Sequence, residues 1–149
     1  MSSPLTAIPL TLALALSLTT TAPLWAQTTA QSVQTQAMLL GPARMETAGG
    51  QLSLFGESGA SSYVAIATGP DCTETGSACD SIRFQAVAPP PAGGDPVADW
   101  QADGLGGTLA IGADGWLVLS DEADLVGDAA AAFRGWARLV EDSQSRFGG

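Results

Sequence analysis

Cys72 and Cys79 bracket a short run of Thr, Glu, Gly, Ser and Ala, and an apolar run stands on either side of them. Tyr63-Val64-Ala65-Ile66-Ala67 precedes and Ile82-Arg83-Phe84-Gln85-Ala86-Val87 follows, the pattern of strand, turn, strand. The second run alternates. Ile82, Phe84 and Ala86 fall on one face and Ser81, Arg83 and Gln85 on the other, as a half-buried antiparallel strand requires. Opposite strands of a hairpin bring α-carbons to a separation that a disulfide can bridge. These are the only cysteines in the chain, so export would leave them a single pairing, Cys72 with Cys79. Loop-closure entropy sets the gain at about 2.5 kcal/mol at most. Two other uses of the pair fit less well. A zinc shell needs ligands that a chain without histidine does not offer, and redox pairs are typically C-x-x-C at a helix start.

Met1 to Ala26 reads as a secretory signal peptide, with an apolar run from Leu10 to Leu18, Pro23, and Ala26 ahead of Gln27. The n-region has no Lys or Arg, and Leu24 rather than a small residue stands three before the cut. The run is short for a membrane span. No cysteine lies near the cut for lipid attachment and no arginine pair marks the twin-arginine route, so the expected destination is the periplasm or the medium by way of Sec.

The net charge of −10 falls entirely after this segment. An acidic surface repels phosphates and anionic lipids, which argues against nucleic acid and, after signal cleavage, against membrane as partners. A basic or neutral protein partner fits better. All five cations are arginine, so lysine Schiff-base chemistry is excluded. Without His or Lys, a nucleophilic serine would have only a carboxylate as base. No catalytic residue, metal ligand or cofactor site is therefore assigned, and the expectation is a protein that is not an enzyme.

Residues 27–43 read as a linker or a weak N-terminal helix, broken at Gly41-Pro42. Residues 44–149 form the expected domain. A turn at Gly49-Gly50, a strand at Gln51–Phe55 and a turn over Gly56–Ser61 lead into the Tyr63 strand, giving a three-strand meander through Val87. Pro89-Pro90-Pro91 and Gly93-Gly94 mark a surface crossing. Asp95-Pro96 then looks like a cap and first turn of a short helix to about Ala102, with Val97 and Trp100 buried. A second hairpin centres on Asp114-Gly115, the favoured pair for a two-residue type I′ turn. From about Gly127 to Phe147 a helix is expected, with Phe133, Trp136, Ala137 and Val140 as its buried stripe, widened by Leu139.

Asp121-Glu122-Ala123-Asp124 and Asp128 are the one local concentration of carboxylates. They suit a calcium site or carboxylate-dependent catalysis, although the spacing departs from an EF-hand. They better suit the positive end of the following helix, with Asp124 or Asp128 as cap. Trp100, Trp116 and Trp136 could line a ligand pocket, with core packing the simpler reading. Gly104-Leu105-Gly106-Gly107 lacks the lysine of a phosphate loop.

The cysteine segment running into Ser81–Ala86, Trp100 in its short helix, Asp114-Gly115 with Leu117-Val118-Leu119, Asp124 to Gly127, and Phe133 with Trp136 before Phe147 together resemble the YbjN domain family, whose members are described as bacterial sensory transduction regulators. The resemblance spans roughly Leu52 to Phe147. It implies an α+β domain similar to type III secretion chaperones: an antiparallel meander, a short helix, a β-hairpin and a C-terminal helix. It also implies a non-catalytic, exported interaction or regulatory module, with a protein partner or a second copy as its ligand. The alternative is a small carboxylate-dependent enzyme or a calcium-binding periplasmic protein.

Overall fold

Period-two alternation along the strands, and a strong 3.6-residue stripe near the C-terminus, drive one face of a sheet and one face of a helix together. The computed structural model describes residues 30–90 and 92–148. The expected signal peptide, residues 1–26, and the first part of the 27–43 segment lie outside the described residues. In chain order the elements are α1 (Ala30–Leu40), β1 (Ala43–Ala48), β2 (Gln51–Ser58), β3 (Ser61–Thr68), β4 (Ser81–Ala88), α2 (Pro96–Asp103), β5 (Thr108–Ile111), β6 (Leu117–Asp124) and α3 (Ala129–Phe147). All strands pair antiparallel in one open sheet, in the order β1-β2-β3-β4-β6-β5. This is the α+β class expected, with its meander, short helix, hairpin and closing helix.

Three local expectations are corrected. The meander has four strands, because Arg44 to Ala48 pairs with β2 across the Gly49-Gly50 turn. The β2–β3 turn is tighter than the composition suggests: β2 continues to Ser58, and only Gly59 and Ala60 lie between the paired Ser58 and Ser61. Gly59 takes φ +59° at the first central position, the requirement a two-residue II′ loop places on glycine. Asp114-Gly115 is not a type I′ turn. Gly115 alone is left-handed there, at φ +84°, its N–H donating to the Gly112 carbonyl, while the Gly112 N–H reaches the Trp116 carbonyl at 2.8 Å. The result is a three-residue loop that spares Asp114 the positive φ a type I′ turn would impose.

Both helix caps follow the residue chemistry. Asp95 accepts from the Ala98 N–H and Asp128 from the Ala131 N–H, each at 3.0 Å. The weak N-terminal helix is real over Ala30–Leu40, held by burial of Val33 and Ala37 rather than by a wide apolar face. Helix α1 lies against β1, β2 and α3, helix α3 against β4 and β6, and α2 against β5. All of this covers one face of the sheet. On α3 the buried stripe takes Leu139 fully and leaves Ala137 half-buried.

An aromatic cluster fixes α3 to the sheet. Phe84 stacks on Trp136 at 5.1 Å between centroids and meets Phe133 edge-on at the same distance; Tyr63 meets Trp136 edge-on at 5.8 Å.

Candidate functional site

Strand geometry scatters the carboxylates that sequence places side by side. On β6, Asp121 pairs with Phe84 and shares its helix-side face, while Glu122 pairs with Arg83 and Asp124 with Ser81 on the opposite face. Asp128 is occupied as the cap of α3, and its second oxygen meets Arg134 at 3.2 Å. Among the described residues, no group of three or more His, Cys, Asp or Glu is placed to hold a metal ion. Burial raises the pKa of Asp121, and a hydrogen bond from the Glu122 backbone partly offsets this. Its neighbours on β6, Ser120 and Glu122, point to the opposite face.

The other sequence candidates are structural. Cys72 and Cys79 are bonded, with α-carbons 4.2 Å apart, inside the connection between Thr68 and Ser81 rather than at its strand ends. Trp100 and Trp136 are buried, and the Trp100 indole N–H donates to the Gly106 carbonyl at 3.0 Å. Trp116 lies apart, half-exposed beside the β5–β6 loop. The tryptophans therefore line no common pocket, and the glycines at 104–107 serve the packing of α2.

The surface that remains is the sheet face opposite the helices. Cross-strand rows place Phe55 beside Val64 and Val64 beside Gln85, Ile66 beside Arg83, and Val87 beside Val118. All side chains of these rows leave the sheet on the helix-free side. Val87 is 56 % exposed, whereas Phe55, Val64, Ile66 and Val118 are half-buried by their neighbours. Around Phe55, Val64 and Val87 the twisted sheet forms an open depression of about 530 Å³, with Arg44, Glu57 and Gln85 on its walls.

Two ion pairs lie on this face. The Arg44 guanidinium lies 4.9 Å from the Phe55 ring centroid and 3.0 Å from Glu46, and Arg83 meets Glu122 across strands at 3.2 Å. Two of the five arginines thus stand on a face of a chain whose net charge is −10. Apolar patches ringed by polar and charged groups are the usual form of an interaction surface.

Sequence reasoning singled out none of Phe55, Val64, Ile66 or Val87 as surface residues. A signal was present: Val64-Ala65-Ile66-Ala67 is an unbroken apolar run, the mark of a strand apolar on both sides. No helix among the described residues is long and apolar enough to cross a membrane. No family model matches the chain, and no curated protein and no solved structure does either.

Proposed function

We propose that the protein is a non-catalytic, exported interaction module of the YbjN type, binding a polypeptide segment of a protein partner on the helix-free face of its sheet. One observation carries this reading: an apolar face, concave around Phe55, Val64 and Val87, is left uncovered by every helix among the described residues. Residue chemistry supports it, since the chain has no histidine or lysine and the carboxylates of β6 point to opposite faces. The disulfide is in keeping with export. The order of meander, short helix, hairpin and closing helix is the order that the YbjN resemblance leads one to expect.

Photo-crosslinking tests the surface directly. A photoreactive amino acid at Val87 should give discrete protein adducts in cells, and the same group at Glu141, exposed on α3, should give none. Adducts from position 141 with none from position 87 would move the binding surface to the helical side and end this reading.

A further inference from the structure

β1 is a sheet edge, and its sequence is complementary to itself. The Glu57 N–H donates to the Pro42 carbonyl at 3.0 Å, and the register from there to the Gly49-Gly50 turn runs without a bulge. In an antiparallel ladder the backbone groups of successive residues point to alternate sides. Pro42, Arg44 and Glu46 therefore turn theirs towards β2, and Ala43, Met45 and Thr47 turn theirs outward, where no strand lies among the described residues.

We infer that β1 is a self-pairing edge, at which a second copy of this chain adds antiparallel about a two-fold axis through Met45. This centre sets no like charges face to face. Met45 faces its own copy as a hydrogen-bonded pair, and Ala43 and Thr47 face each other, so every outward N–H and carbonyl of these three residues gains a partner. Arg44 then stands opposite the other copy's Glu46, twice over by symmetry. Centring on Arg44 would set the two Arg44 side chains face to face, and centring on Glu46 the two Glu46 side chains, so each of those registers opposes like charges.

Charge and exposed apolar surface both suit this edge. Two chains of net charge −10 repel, so association needs a locally neutral seam, and β1 carries one Arg and one Glu. Helix α1 lies over β1, and close to the Gly41-Pro42 connection its Met38 and Leu39 are 61 % and 75 % exposed. A two-fold axis normal to the joined sheet puts both copies of α1 on the same side of it. The helix-free face is extended across both copies by this arrangement and is not consumed by it.

A charge-swap cycle on the exported chain tests the inference, read by sedimentation equilibrium from micromolar to sub-millimolar concentration. The wild type should dimerise reversibly. Arg44→Glu and Glu46→Arg should each raise the dissociation constant about tenfold or more, and the double swap should restore it. Both side chains are exposed, so circular dichroism and melting of the monomer should stay close to wild type. Amide exchange at Met45 should slow as concentration rises. A wild type that is monomeric throughout, single variants that dimerise unchanged, or a double swap no better than either single would each overturn the proposal. Photo-crosslinking at Val87 is unaffected by that failure, because it reads a different surface.

Discussion

Gly56 and Tyr63 face each other across β2 and β3, and the tyrosine ring lies over the bare glycine backbone. A Cβ on Gly56 would come within 2.6 Å of the ring, so the glycine provides the space that brings Tyr63 into the core. There the phenol is 3 % exposed, its hydroxyl has no hydrogen-bond partner among the described residues, and burial pushes its pKa up from 10.0 to about 12. The folded protein therefore holds this proton more tightly than the unfolded chain. Stability from the neutral phenol is complete below pH 10 and falls as pH rises towards 12, by about 3 kcal/mol in all. No lysine is present, Tyr63 is the single tyrosine and both cysteines are bonded, so little else titrates in that window. Urea melts from neutral to strongly alkaline pH should show the loss in the wild type and a flat limb in Tyr63→Phe. At neutral pH the same variant should be as stable as wild type or more so, because it removes a buried hydroxyl without a partner. An unchanged alkaline limb in Tyr63→Phe would show that another group carries it.

Elements were legible where one residue type has one local use. Asp95-Pro96 opens α2, Gly49-Gly50 turns β1 into β2, and the stripe on α3 buries Phe133, Trp136 and Val140. Legibility fails where two solutions share a composition. Asp114-Gly115 fits a two-residue turn or the end of a three-residue one, and the backbone chooses the second, which spares Asp114 a positive φ. The acidic run after Leu119 is another such case, because a list of carboxylates does not say that strand pleating will send neighbours to opposite faces. Asp128 allows the helix-cap and cation readings to be separated. Asp128→Ala should cost about 1 kcal/mol in denaturant melts, and Asp128→Asn should retain most of the stability. Calcium should leave the melting of the wild type unchanged. A calcium-dependent rise that Asp128→Ala abolishes would favour the cation.

For the whole molecule, the disulfide does more than shorten a loop. Cys79 is buried in the core and Cys72 packs against it, so the bond anchors the connection over residues 69–80 to the sheet. From that anchor the connection reaches the first helix. Gly76, at φ +74°, sits so close to α1 that a Cβ would meet the Ala30 nitrogen at 2.7 Å and the Leu52 side chain at 2.8 Å. Glu74 adds a carbonyl that accepts from the Thr47 hydroxyl at 3.4 Å. The bond thereby links the β3–β4 connection to the start of α1 and to the β1–β2 hairpin, segments distant in sequence. Reducing the pair should lower global stability by about 2.5 kcal/mol at most, the loop-entropy ceiling for so short a ring. The loss should be uneven. Hydrogen exchange on reduced protein under native conditions should rise first in α1 and β1, while α3, held by Phe84, Phe133 and Trp136, keeps its protection. Because β1 is the edge at which a second copy is inferred to pair, reduction should also weaken self-association in proportion to the loosening of that strand. Faster exchange confined to residues 69–80, with α1 and β1 unchanged, would show that the staple acts on its own loop alone.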